Sequence, residues 1–122
     1  MTWSYSQTSG QLNWNSVYIG TGYAGAGLSA ETGRNNHAMQ NVPNQGPIPT
    51  GQYQIGPAYN HPHKGPTCVN LTPVGHNALG RSGFMIHGNN VQNDASQGCI
   101  ILGPQIRQQI ANSGDSVLLV QA

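Results

Sequence analysis

The chain has 122 residues, only 6% of them charged, and a formal net charge of +1. That length suits one domain, residues 1–122, burying roughly two thirds of its unfolded surface, and the near-neutral balance leaves no basic field for a nucleic acid. No apolar run reaches bilayer length, and "MTWSYSQTSG" has neither the basic start nor the apolar stretch of a secretory signal, so neither membrane insertion nor signal-led export is expected.

With 17 Gly and 8 Pro, and polarity carried by Asn, Gln, Ser and Thr, the chain is built to turn. Short runs of Trp, Tyr, Val and Ile between Gly, Pro and Asn clusters predict a mostly β fold. "TWSYSQ", "QLNWN" and "SVYIGTGYAG" form an opening set of strands, with Trp3 and Tyr5 on one face and "TSG" as a turn. "AGAGLSAETGRNNHAMQNVPNQGPIP" is a long irregular segment, of the kind that in a small domain is more often functional than idle. "TGQYQIGPAY" alternates Tyr53 and Ile55 against Gln52 and Gln54, as a half-buried strand does. "HPHKGPTCVNLTPVGHNALG" reads as mixed loop and short strand, and "SGFMIHG" and "CIILG" as two apolar strands. In "GPQIRQQIANSGD" Pro104 opens a helix, Ile106 and Ile110 share a face, Arg107 is read as solvated, and Gly114 is placed for a left-handed cap. "SVLLVQ" closes as a central strand.

The chemistry concentrates in "GFMIHGNNVQNDASQGCIIL". A cysteine becomes a nucleophile when a nearby base favours its thiolate and it stays accessible. Cys99 follows Gly98, and the amides of Gly98 and Cys99 can then point together at an oxyanion. His87 supplies the base. Its ring needs an orienting partner, for which the carbonyl of Gly88, Asp94 and Ser96 are candidates. A Cys68–Cys99 disulfide is the structural alternative. "HPH" at His61 and His63, with His37, His76 and Cys68 elsewhere, is a weak match to a zinc site, because Pro62 intervenes and no carboxylate is near. No metal is expected. "GTGYAG" lacks the helix and lysine of a phosphate loop.

"IHG" followed by "SQGCI", with "GPIPTGQYQI" upstream, resembles the catalytic domain of L,D-transpeptidases, cysteine enzymes that remodel peptidoglycan. Their pattern is a Thr-Pro-Thr-Gly-like turn before a strand, an upstream His-Gly and a Ser/Thr-His-Gly-Cys segment. The match covers about the last two thirds of the chain. "GYAGAG", "NNHAMQNVPNQGPIPTG" and "GRSGFMIHG" look closer still to a compact branch of antibacterial effectors. These are delivered by type VI secretion into the periplasm of rival Gram-negative cells.

The resemblance implies a small β-sandwich or barrel with one short helix near the C-terminus. It makes Cys99 the nucleophile and His87 the base, with Gly88 orienting the histidine, Gly98 and Cys99 giving the oxyanion amides, and Ser96 matching the Ser/Thr of the motif. It implies no cofactor. Peptidoglycan tetrapeptide stems would be the substrate, trimmed by an L,D-carboxypeptidase or exchanged by a transpeptidase. Partners would be the type VI secretion machinery and a periplasmic immunity protein. The protein would be made in the cytoplasm and act in the target's periplasm.

Two positions depart from the pattern: Gln97 stands where a second histidine is usual, and Ile101 where many members have Arg or Asn. Gln97 and Arg81 are carried as substrate-binding candidates. Unbroken alternation would place Arg81 on the face of His87 but about 20 Å along the strand, unless "SG" bends it. His before Cys is the reverse of the order in papain-like amidases. A catalytically silent wall-binding module is the alternative function.

Overall fold

The computed structural model describes residues 2–122. The chain is mostly β. In order it forms β1 (Trp3–Ser6), β2 (Gln11–Trp14), β3 (Val17–Thr21), β4 (Tyr23–Ala24), β5 (Gly51–Ile55), β6 (Tyr59–His61), β7 (Gly65–Val74), β8 (Met85–His87), β9 (Ile100–Ile101), helix α1 (Pro104–Ser113) and β10 (Val117–Gln121). Asn15 and Ser16, both at positive φ, make the two-residue loop between β2 and β3.

The strands follow the path β3-β2-β1-β10-β5-β7-β8-β9-β4, with β6 added to β7. Its two ends, β3 and β4, are consecutive in sequence and joined through Gly22, yet no ladder closes them into a barrel. The open sandwich form of the sequence expectation is the one adopted. β10 is central, parallel to β1 and antiparallel to β5. Only a strand with a covered face can be this apolar, and Leu118 and Val120 are buried.

The ten-residue β7 corrects the reading of residues 61–80 as loop and short strand. Its early part pairs with β6, its middle with β8 and its later part with β5, so it carries the fold from one sheet to the next. Pro73 does not break it. Leu71 donates its N–H to Phe84 O on the β8 side, and Pro73, of the same parity, meets that side where no β8 residue is paired.

One buried cluster runs from Trp3, Tyr5 and Leu12 through Tyr53, Leu71 and Phe84 to Ile86, Ile100 and Leu118. Trp3 stacks on Trp14 with centroids 5.2 Å apart, and the indole N–H groups donate to Ser113 Oγ at 3.2 Å and Asp115 Oδ2 at 2.7 Å. These bonds fasten the end of α1 to the opening strands. The helix starts at Pro104 and ends at Gly114 in the left-handed conformation, as its caps predict. Arg107, however, is buried on the face shared with Ile110 rather than solvated.

Leu118→Ala removes a fully buried side chain from the central strand. Such truncations cost about 2–5 kcal/mol. The expected outcome is a Tm fall on the order of 10 °C by calorimetry; a change within a degree or two would show that this strand is not central to stability.

Candidate active site

The two residues singled out by the sequence come together because β8 and β9 run parallel, with Ile86 opposite Ile100 and His87 opposite Ile101. That register sets Cys99, just before β9, beside Met85 on the face that Met85 shares with His87. Both His87 and Cys99 line one cleft of about 570 Å³, together with Lys64, Arg81, Phe84 and Gln97.

His87 is almost wholly buried, at 2% exposure. Its Nδ1 lies 3.0 Å from Gly88 O. A carbonyl can only accept, so Nδ1–H donates, and the neutral ring then carries its lone pair on Nε2. Of the three orienting candidates, Gly88 is the one in contact. Asp94 instead accepts from Asn90 Nδ2 at 2.8 Å. Ser96 Oγ donates to Cys99 O at 2.6 Å and accepts from the amides of Gly98 and Gly25, each at 3.0 Å.

Those bonds fix the turn before the cysteine and engage one of the two amides expected at an oxyanion. The Gly98 N–H donates to Ser96 Oγ at 3.0 Å. Gly98 has φ +139, which L side chains rarely adopt, and a Cβ there would sit 2.7 Å from Arg81 Nη2. Its carbonyl accepts from Ile48 N–H at 2.9 Å, which explains why "GPIPTG" accompanies "SQGC": Pro47, Ile48 and Pro49 are the buried support under the turn.

Arg81 is in the cleft rather than far along a strand, because β8 begins only at Met85 and Gly83, at φ +79, bends the approach. Its Nη1 donates to Gln40 O (2.6 Å) and Pro47 O (2.9 Å), and its Nη2 to Gly46 O (3.0 Å) and Gln97 O (3.3 Å). These four bonds use every Nη hydrogen, so Arg81 clamps the long loop to the cysteine turn and leaves only its charge and Nε for a ligand. Gln97 gives its carbonyl to that clamp while its side chain stays exposed at the cleft. Ile101, the other departure from the motif, is buried between Tyr23 and His87 as a paired core residue.

Burial dominates the protonation states. It pushes the Cys99 thiol up, against the Met85 N–H and the charges of Lys64 and Arg81, which favour the thiolate. It pulls His87 down, against the Gly88 bond, and Lys64, Arg107 and His61 pull it down further. The resting pair is therefore a neutral imidazole and a neutral thiol, whose Sγ lies 3.7 Å from Gly83 O.

Cys68 and Cys99 are both free, so the disulfide alternative falls; Cys68 is buried in β7 and donates to Gly65 O at 3.4 Å. "HPHK" is a turn device: His61 Nδ1 accepts from the amides of His63 and Lys64 at 3.0 and 3.1 Å. Among the described residues, no three His, Cys, Asp or Glu side chains gather as a metal site.

Arg107 was missed. Its Nε donates to Leu102 O at 3.0 Å and its Nη1 to Pro66 O at 2.7 Å, and a Cβ on Gly88 would lie 2.9 Å from its Nη2. The "HG" pair needs a glycine because a guanidinium packs on it. The helical spacing of Arg107 and Ile110 was the available signal.

The model of the Tlde1 domain matches residues 21–118. The chain belongs to the Tlde1 domain family. That is a family of type VI secretion effectors, and the matched span contains both clefts and every candidate residue. No curated protein matches the chain. No helix among the described residues is long and apolar enough to cross a membrane.

Two outcomes are expected from this geometry. The alkylation rate of Cys99 should go on rising with pH beyond the point where an ordinary free thiol levels off; a plateau already reached at neutral pH would mean a thiolate–imidazolium pair at rest. Ser96→Ala leaves the Gly25 and Gly98 amides without their acceptor. Each such loss costs about 1–3 kcal/mol, so denaturant titration should show a clear drop in stability.

Proposed function

We propose that the chain is a cysteine acyl-transfer enzyme acting on the tetrapeptide stems of peptidoglycan, as an L,D-carboxypeptidase, an L,D-transpeptidase exchanging D-amino acids, or both. The observation that carries this reading is the His87 tautomer: the Gly88 carbonyl holds Nδ1–H, so the basic Nε2 belongs to the residue that shares a cleft with Cys99.

Nε2 takes the thiol proton as Sγ attacks the carbonyl between the third-position diamino acid and the terminal D-alanine. Negative charge gathers on the carbonyl oxygen as the S–C bond forms, in a cleft that Lys64 and Arg81 line. The C–N bond then breaks, and the imidazolium returns its proton to the leaving amine. Water, or the amine of another D-amino acid, gives a proton to Nε2 and attacks the thioester; the S–C bond breaks and the thiol is restored. Starting from a neutral pair, charge is created only during attack, where Arg81 and Lys64 stabilise the thiolate-like sulfur.

The effector family and this chemistry support an antibacterial role: delivery to the periplasm of a Gram-negative competitor, trimming of stems needed as cross-link donors, and protection of the producer by a periplasmic immunity protein covering His87 and Cys99.

Mass spectrometry of tetrapeptide stems incubated with the protein tests this. Wild type should release D-alanine or exchange it for an added D-amino acid. Cys99→Ala should fall to background, and His87→Ala should lose at least about a hundredfold in rate. Turnover by Cys99→Ala near that of wild type would exclude the mechanism.

A further inference from the structure

We propose that a second cleft, lined by Arg34, Lys64 and Arg107, is a carboxylate-binding subsite that holds the amino acid leaving or entering the acyl-transfer site. The cleft has a volume of about 620 Å³ and lies along Gly88 and Asn89, while His87 lines the first cleft. Lys64 lines both.

The charges single out this cleft. The chain has four Lys and Arg residues and three Asp and Glu. Arg81 has its Nη hydrogens committed to four carbonyls and only Nε left to donate, whereas the other three cations all line the second cleft. No Asp or Glu lines it. Asp94 is bonded by Asn90, Asp115 by Trp14, and Glu31 is exposed.

Arg107 is the decisive member. It is buried, and its hydrogen bonds end on the carbonyls of Leu102, Pro66 and Thr67. Carbonyls satisfy its donors without cancelling its charge, and an uncompensated buried cation favours an anion beside it. Its Nη2, against Gly88, makes no hydrogen bond among the described residues and is left for a ligand. Arg34 sits 3.6 Å over the Tyr23 ring, held by Nη1 bonds to the carbonyls of Asn93 at 2.9 Å and Gly27 at 3.5 Å, which stiffen it without neutralising it.

The choice of ligand rests on the acyl-transfer reading above. The D-alanine that leaves and the D-amino acid that enters each carry one amine and one carboxylate, and by microscopic reversibility they occupy one subsite. With the amine at Nε2 of His87, the carboxylate would cross Gly88 toward Arg107, with Lys64 at the junction.

The test uses ¹⁵N-labelled Cys99→Ala protein, titrated with N-acetyl-D-alanine and, separately, with its C-terminal amide. The acid should shift the amides of Gly88, Asn89, Asn93 and Gly103, and the carboxamide should not. Lys64→Gln, at an exposed hairpin turn, should keep the amide spectrum of a folded protein and raise Kd about tenfold. Equal shifts with acid and carboxamide, shifts confined to the first cleft, or a Lys64→Gln change under twofold would overturn the subsite. The titration needs no turnover, so its failure leaves the acyl-transfer reading standing. Carboxylate binding beside a wild type that releases no D-alanine would remove that reading and keep the subsite.

Discussion

A guanidinium keeps its charge at any physiological pH and presents its donors in a fixed fork, and the candidate site depends on that constraint at Arg81. The fork gathers the carbonyls of Gln40, Gly46, Pro47 and Gln97, which come from two segments far apart in sequence. Without it, the long Gly- and Asn-rich segment would have little reason to lie against the cysteine turn. With it, Ile48 reaches the Gly98 carbonyl, Gly98 is pinned under the guanidinium, and Ser96 finishes the turn from the other side. Gln7 secures the same segment from beneath, its side-chain amide donating to Ile48 O at 2.8 Å. The position of Cys99 is thus a product of loop packing as much as of strand pairing.

The electrostatic design is economical for a chain so poor in charge. Every lysine and arginine lines one of the two clefts, against a single carboxylate, Asp94, in the first and none in the second, although the net charge is only +1. Low-dielectric walls focus such a field, and burial makes the Arg107 charge felt more strongly than it would be at an open surface. The same burial holds the thiol and imidazole neutral. A site of this kind is quiet toward stray electrophiles and gains its ionic character only when a substrate carbonyl is in place.

The alternation of Trp3 with Tyr5 and of Tyr53 with Ile55, the caps of α1 and the apolar run of β10 made most of the β architecture legible in the sequence, because period-two burial and helix-end chemistry are local signals. β7 was hidden by Pro66 and Pro73, whose tolerance depends on which neighbour pairs at each position, and that is a tertiary fact. His87, Gly88 and Cys99 were legible as types of residue in sequence order. The roles of the surrounding amides were not. Whether Gly98 N–H faces a cleft or a serine hydroxyl is decided by a single backbone rotation, and Arg81 changed from a distant residue to a clamp because one glycine bends the chain. Arg107 was read as solvated since helix propensity says nothing about which face is covered.

The parallel pairing of β1 with β10 also governs how the protein can be assembled. Until Val117–Gln121 dock, β1 and β5 each present an open edge in the middle of what becomes one sheet, and their partner is separated from β1 by more than a hundred residues. Loop closure over such a distance comes late and slowly, and unpaired edges in the interim invite pairing with other chains. The neighbouring strands carry Gln52, Gln54, Ser4 and Ser6 on their alternate positions, polar side chains that soften those edges while they wait. The sheet is completed from its centre, by a strand more than a hundred residues from β1.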